Sequence, residues 1–428
     1  MNADVGFERL IASWLASDGP QTVPDGLVDA ALARARRLPQ ERVPLSSLPA
    51  AVAERAARAT PRSRAAFLIF AAALTAALAL GALLAVGQHR GLIATPGLIA
   101  YSVDGRLVVA KPDGSDPRGV SGTGAFSRDP RWAPDGRHLA FWTGAAGDAP
   151  LDLVVVDANG SSPHVVIPAR RSTSEPAWSP DSRRVVVNTL DPSVPSAGFA
   201  FAPLVLTVAD VETSAAVRLD TRGLNPRRAR WSPTGDLIAL WGEGLPDDTG
   251  LYVIAPDGTG LRRVAPTSCA EEWFCFEWID WSPDGTTLAF SAGDSYVHAI
   301  WTAEIGGGEP AAISSDGVNA NNPTWSPDGA LLAWFESDEP FGLEVPTSGR
   351  IVVANADGSG ATSITSDLAI PFATPRWSPD GRSILAPVLN ASTGIPDRLG
   401  RFPIAGGPTE LLSLGGHLES EPSWQRRP

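Results

Sequence analysis

The stretch DWSPDGTTLAF, residues 280–290, decides the fold because its first half recurs through most of the chain. Related stretches follow one another at intervals of 44 to 53 residues, a period typical of solenoids and propellers. The register is set by Trp132, Trp178, Trp231, Trp281, Trp325, Trp377 and Trp424. Seven occurrences in order indicate a repeated structural unit.

Each repeat unit predicts four short strands. The tryptophan ends the first strand, and Ser-Pro-Asp-Gly then turns the chain, because Pro presets φ and Gly tolerates positive φ. In the unit of Trp231, a third strand (GLYVIAP, 250–256), a glycine turn (DGTG, 257–260) and a fourth strand (LRRVAP, 261–266) follow. Four antiparallel strands per unit make a propeller blade.

The two ends of the repeat region complement each other. The last unit stops just after Trp424 with its first strand alone, whereas GLIAYSV (97–103), RLVVAKPDGSD (106–116) and PRGVS (117–121) read as strands two to four. Together they complete one blade. The sequence therefore predicts an all-β, seven-bladed β-propeller closed by exchange of the N- and C-terminal strands, which leaves no open edge.

These units resemble the repeats of the TolB-like β-propeller family, WD-related propellers marked by W-S-P-D-G. The resemblance covers about residues 97–427, with small departures at Ala133, Ser182 and Thr234. It implies a protein that binds proteins or ligands far more often than it catalyses a reaction, although a fold by itself does not decide function.

Strand order separates the two faces of the ring. All Ser-Pro-Asp-Gly turns fall on one face, the motif face, while the long connections at 191–202, 268–277, 336–349 and 390–397 fall on the other, the loop face. Loops held by a rigid scaffold carry function. We therefore expect the binding surface on the loop face, and the motif face to be structural and turned toward the membrane.

Candidate ligand-binding residues lie three positions before each repeat tryptophan, near the mouth of the channel, and in one aromatic loop. They are Asp129, Glu175, Arg228, Trp278, Asn322, Thr374 and Glu421, together with Trp273 and Phe274. The alternative is that the seven residues before the tryptophans are ordinary solvated loop residues. The aromatic cluster is either an exposed contact patch or a plug over the core between blades.

The two cysteines, Cys269 and Cys275, lie in the same aromatic loop, in CAEEWFC. Metal binding would need more ligands nearby, and no histidine is adjacent. If this region lies outside the cytoplasm, a local disulfide is favoured over free thiols. We expect neither a metal site nor a cofactor.

Residues 65–87 form a run of 23 residues without a charge, long enough to cross a bilayer as a helix. A cleaved signal peptide fits less well, because its apolar region is shorter and lies nearer the N-terminus. Arginines 55, 58, 62 and 64 precede the run, so its N-terminal side is expected to be cytoplasmic. The predicted order is a cytoplasmic helical segment (1–64), a single transmembrane helix (65–87), a linker (88–96) and an extracytoplasmic propeller (97–428).

The segment 1–64 contains two amphipathic helical patterns, around Phe7 to Leu15 and Leu27 to Ala35. Such short helices dock on a partner or pack weakly together. With the span and an outer domain, this layout resembles membrane-anchored anti-sigma factors, although the segment lacks the His and Cys that usually bind zinc in that family.

The net charge of −13 argues against a nucleic-acid partner. The chain has no G-x-S-x-G or H-E-x-x-H motif and ends four residues after Trp424, which leaves no room for a hydrolase domain. We therefore expect a protein that is not an enzyme: a membrane-anchored, non-catalytic binding module for a protein or cell-envelope ligand. The alternative is a transmembrane signalling protein whose helices bind a cytoplasmic regulator.

Overall fold

The structure, a computed structural model, describes residues 95–427 with short gaps. The gaps are 121–122, 147–148, 172–173, 192–202, 245–247, 267–277, 294–296, 316, 340–347 and 366–367. The described part contains 28 strands in seven four-stranded antiparallel sheets, and no α-helix. The prediction of an all-β, seven-bladed propeller is confirmed.

The first fourteen strands make two complete blades and three strands each of two others. Their bounds are Thr95–Val103 (β1), Arg106–Ala110 (β2), Arg118–Gly119 (β3), Phe126–Trp132 (β4), His138–Gly144 (β5), Leu151–Asp157 (β6), His164–Arg170 (β7), Ala177–Trp178 (β8), Arg184–Leu190 (β9), Leu204–Asp210 (β10), Ala216–Leu219 (β11), Asn225–Trp231 (β12), Ile238–Glu243 (β13) and Gly250–Ile254 (β14).

The second half continues in the same order. Its strands are Arg262–Pro266 (β15), Ile279–Trp281 (β16), Thr287–Gly293 (β17), His298–Glu304 (β18), Ala311–Ala312 (β19), Asn319–Trp325 (β20), Leu331–Ser337 (β21), Arg350–Asn355 (β22), Thr362–Ser363 (β23), Arg376–Trp377 (β24), Ser383–Leu389 (β25), Pro396–Pro403 (β26), Glu410–Ser413 (β27) and Leu418–Arg427 (β28).

Blades 1 to 6 each take four consecutive strands, starting with β4, β8, β12, β16, β20 and β24. Blade 7 has the order β28-β1-β2-β3, so the first strand of the described chain pairs antiparallel with the last. In every blade the first strand ends at a repeat tryptophan or, in blade 7, contains one.

Each core cluster lies between two consecutive blades. Trp142 and Leu153 of blade 1, for example, pack with Val185 and Val187 of blade 2, and all four are fully buried. Because a neighbouring blade covers each side of a sheet, the middle strands read as continuous apolar runs rather than as alternating ones. In β14 all five residues are buried.

The Ser-Pro-Asp-Gly turn is a self-contained hairpin. In blade 4 the Ser282 hydroxyl donates to the Asp284 carboxylate at 2.6 Å and accepts the N–H of Thr287 at 2.9 Å. Gly285 follows with φ of 71°, a left-handed conformation in which a side chain is strained. These bonds satisfy the polar groups of the turn internally.

The tryptophan of the motif, by contrast, joins two blades. The indole Nε1–H of Trp178 donates to the carbonyl of Arg131 in the preceding blade at 2.9 Å, and that of Trp281 donates to the carbonyl of Arg230 at 3.1 Å. Trp377 and Trp424 make the equivalent bonds at 3.2 Å each. The recurring tryptophan therefore joins the inner strands of neighbouring blades, and we call this indole-to-carbonyl hydrogen bond the latch.

Three junctions between blades depart from this pattern. The indole Nε1 atoms of Trp132 and Trp325 are buried without a hydrogen-bond partner among the described residues. There the backbone N–H of the tryptophan donates instead to a side chain of the preceding blade, Ser423 Oγ at 3.1 Å or Asp280 Oδ2 at 2.8 Å. Trp231 donates to the carbonyl of Gly235 in its own turn.

Several sequence-based predictions lie outside the described residues. They concern the cytoplasmic helices, the membrane span, most of the linker, the cysteines and the aromatic loop. Within the described ranges, no helix has both the length and the apolar character needed to span a bilayer.

Candidate functional site

The first strands of the blades enclose a central cavity of about 640 Å³. It extends from the residues just before the repeat tryptophans to the motif prolines, Pro134, Pro180, Pro233, Pro283, Pro327 and Pro379. The motif face therefore holds more than turns, and the expectation that it is purely structural is incomplete.

An ion network forms the inner end of this cavity. The guanidinium groups of Arg131, Arg230 and Arg376 all contact the carboxylate of Glu175, with the Arg376 Nη2 atom 2.8 Å from Oε2. Arg376 also contacts Glu421, whose Oε2 lies 3.4 Å from Nη2 of Arg131. Five of the seven blades thus contribute one charged side chain each to a single cluster.

Burial and like charges act together on the arginines. Burial lowers the pKa of Arg131 well below its usual value, and the positive charge of Arg376 lowers it further. The pKa of Arg230 falls to about 10, first through burial and then through the same neighbour. Burial alone would raise the pKa of Glu421, but the charges of Arg376 and Arg131 outweigh it and hold the pKa below its usual value.

Asp280 lies in the wall of the same cavity. Its Oδ2 atom accepts the N–H of Trp325 at 2.8 Å and the hydroxyl of Thr324 at 3.1 Å. Burial raises the pKa of Asp280 despite these bonds and the charge of Arg230. Arg426 also lines the cavity, and burial lowers its pKa.

The residues three positions before the tryptophans have an unusual backbone. Asp129, Arg228 and Asn322 have φ values of 56°, 53° and 58°, and in each case the pairing register shifts at this point of the strand. Left-handed φ is uncommon for residues other than Gly, and such strain concentrates at functional sites. A bulge also re-aims the neighbouring side chains.

The structure brings three of the predicted site residues, Glu175, Thr374 and Glu421, to the cavity or its ion network. Glu175 and Glu421 belong to the ion network, and the N–H of Thr374 donates to Glu421 Oε1 at 2.7 Å. Arg228 lies over the ring of Trp278, 3.9 Å from its centroid, and its pKa falls to about 10, mainly through burial.

Three of the seven candidates near the channel, Glu175, Asn322 and Thr374, are buried, unlike solvated loop residues. Asn322 is fully buried, and both polar atoms of its amide lack a hydrogen-bond partner among the described residues. Asp129 is partly exposed. Trp273 and Phe274 lie outside the described residues, as do Cys269 and Cys275, so the aromatic patch and the disulfide stay predictions.

The sequence analysis missed the residues directly before the tryptophans. Arg131, Arg230 and Arg376 occupy this position in three blades, and Asp280 occupies it in a fourth. The dipeptide Arg-Trp recurs in three units and could have indicated these residues, because the residue next to an inner-strand tryptophan lies near the axis of the ring. Within the described ranges, no group of three or more His, Cys, Asp or Glu side chains is arranged to hold a metal.

No protein-family model matches the chain. Two curated relatives match part of it: the "Uncharacterized peptidase YuxL" of Bacillus subtilis, 31% identical over 125 residues, and "Tricorn protease homolog 1" of Streptomyces coelicolor, 28% identical over 133 residues. These matches cover 28% and 31% of this chain. They span 18% and 11% of the relatives' own lengths.

Among solved structures, one of two prolyl endopeptidases matches with a TM-score of 0.53 and 12% identity, over 89% of this chain and 56% of that one. TolB from Acinetobacter baumannii matches with a TM-score of 0.48 and 15% identity, over 76% of this chain and 81% of that one. At such identities the likeness concerns the fold alone.

These findings correct the functional predictions. We expected a non-catalytic binding module or a signalling protein, and not an enzyme. Both curated relatives that match part of the chain are instead named as a peptidase or a protease. The absence of a catalytic signature in this chain did not predict its likeness to much longer proteins named as a peptidase and a protease.

Proposed function

We propose that this chain is a peptidase-type β-propeller and that its central channel takes up the peptide to be hydrolysed. The observation that carries the proposal is the charged central cavity, in a chain that shares sequence with proteins named as peptidases. We assign the channel to substrate uptake and name no catalytic residue.

The cavity has the properties that peptide uptake requires. A volume of about 640 Å³ lies within the range of small-ligand sites and admits a short extended segment. Tryptophan and proline side chains give it rigid apolar walls, while Arg131, Arg230 and Asp280 offer polar groups that fix orientation. A peptide needs both, because its backbone is polar and its side chains vary.

The test is peptide hydrolysis by the purified full chain, followed by mass spectrometry of a peptide mixture. Ala177 lines the cavity at the position that is Arg in three other blades, so Ala177→Trp should fill the channel and lower kcat/KM at least tenfold. Ala311, exposed on β19, provides the matched control Ala311→Trp, which should behave like the unaltered protein.

Absence of hydrolysis across the whole mixture would overturn the proposal. Equal rates for the unaltered protein and both variants would show that peptides do not use the channel.

We also propose that the chain is anchored by the segment 65–87, with residues 1–64 in the cytoplasm and the propeller outside. The uncharged run and the preceding arginines support this arrangement. Reporter fusions after residue 60 and after residue 92 should be active on opposite sides of the membrane; activity on the same side would refute it.

Finally, we propose that strand exchange closes the ring. The antiparallel pairing of β28 with β1 supports this, with Ile99 opposite Trp424 and Ala100 opposite Ser423. Removal of β28 should then destabilise the whole propeller cooperatively, as measured by denaturant unfolding, rather than release a single strand.

A further inference from the structure

Three arginines converge on the axis with more positive charge than their partners neutralise. Arg131, Arg230 and Arg376 share the carboxylates of Glu175 and Glu421. Arg426 and Asp280 also line the cavity. Among the described residues, this gives four arginines against three carboxylates, including Glu421, which bonds to the arginines. This local excess of positive charge is found in a chain with a net charge of −13.

One of the guanidinium groups, that of Arg376, also has an unused donor. Arg376 contacts Glu175 and Glu421 through Nη2, while its buried Nε has no hydrogen-bond partner among the described residues. A guanidinium carries five N–H donors in a planar fork that matches a carboxylate with two parallel bonds. Arg376 therefore has donor capacity left for a further anionic acceptor.

Among the described residues, Asp280 makes no hydrogen bond or ion pair with these three arginines. Its Oδ2 accepts the N–H of Trp325 and the hydroxyl of Thr324 instead. The arginines, moreover, repel one another, since the charge of Arg376 adds to burial in lowering the pKa of both Arg131 and Arg230. A bound anion would relieve this repulsion.

We propose that the inner end of the cavity binds the C-terminal carboxylate of a peptide through Arg131, Arg230 and Arg376, while the preceding side chains lie against the tryptophan and proline walls. The inference rests on the proposed uptake of peptides by the channel and adds a substrate class to it: short peptides with a free C-terminus.

The experiment uses the full chain and three versions of one pentapeptide. Two have no acidic side chain and end in a free carboxylate or in an amide. The third also ends in an amide but carries one internal Glu. Binding is followed by the fluorescence of the repeat tryptophans, which line the cavity. The free acid should bind about tenfold more tightly than the plain amide, as expected for charged hydrogen bonds.

Two variants locate the effect. Arg376→Lys keeps the charge but loses the fork, and should abolish the preference for the acid; Arg118→Lys, on exposed β3, should keep it. Glu421→Gln frees donors of Arg376 and Arg131 and should strengthen acid binding severalfold. The comparison of acid with amide on the unaltered protein does not depend on how any variant folds.

Equal binding of acid and amide would overturn the inference and leave peptide uptake intact. If the amide with one internal Glu binds as tightly as the free acid, the arginines recognise acidic side chains, and the assignment to the C-terminal carboxylate is overturned. If no version is bound or cleaved, the proposed function itself fails.

Discussion

Glu175 is the carboxylate on which three arginines from three blades converge, and its removal is the sharpest test of the ion network. The side chain is 8% exposed, and its two oxygens face Arg131, Arg230 and Arg376. Glu175→Gln keeps the shape but removes the negative charge. Three buried guanidinium groups then share the single carboxylate of Glu421.

Breaking a buried ion pair by neutralising one partner costs about 3–5 kcal/mol, because a charge stays behind without compensation. At about 2 °C per kcal/mol for a large domain, the melting temperature should fall by roughly 6–10 °C. Calorimetry and denaturant unfolding at neutral pH measure both quantities. Glu212→Gln is the matched control, since Glu212 is exposed beside β10 and should change stability by less than about 0.5 kcal/mol.

A loss below about 1 kcal/mol for Glu175→Gln would refute the reasoning. It would mean that solvent or relaxation in the cavity screens the arginines, and the excess of positive charge inferred above would lose its physical basis.

Further predictions concern the latches, the bulges and the titrating groups. Trp281→Phe should destabilise the protein by about 1 kcal/mol more than Trp132→Phe, because only the former loses an indole hydrogen bond between blades; equal losses would contradict the latch. Asn322→Gly should be about 1 kcal/mol more stable than Asn322→Ala in urea unfolding, because φ is 58°. The lowered pKa of Glu421 means that its stabilisation is present above pH 4.5 and is lost as pH falls, so Glu421→Gln should flatten the acid limb of a stability profile. The raised pKa of Asp280 has the opposite sign: ionisation of this carboxylate costs stability as pH rises above 3.8, so Asp280→Asn should become more stable relative to the unaltered protein over that rise.

The fold was predictable because its signal is repeated. A single Trp-Ser-Pro-Asp-Gly would mark a turn, but seven units in register mark blades, and the glycine turns and apolar runs between them fix the strands. Even the two-residue strand β3 lies inside the segment PRGVS that the repeat assigns to it. Local turn chemistry and burial on both sides of each sheet point to the same structure.

The site was only partly predictable because it depends on distances around the ring. The repeat predicts that the position three before the tryptophan lies near the channel, and Glu175 and Glu421 belong to the ion network there. Their burial and pairing with Arg376 join residues separated by 201 and 45 positions, which no local pattern encodes. The arginines were overlooked because the adjacent tryptophan dominates the repeat.

The unequal hydrogen bonds between blades give a nearly symmetric sequence an asymmetric ring. Four junctions are held by an indole, whereas those before Trp132 and Trp325 depend on Ser423 and Asp280, and Trp231 bonds within its own blade. At these three junctions the indole adds no bond between blades, so their cohesion depends on individual side chains that can be changed one at a time. The bond from Trp325 N–H to Asp280 Oδ2 is one of these, and it makes the contact between blades 4 and 5 sensitive to the charge of a single carboxylate.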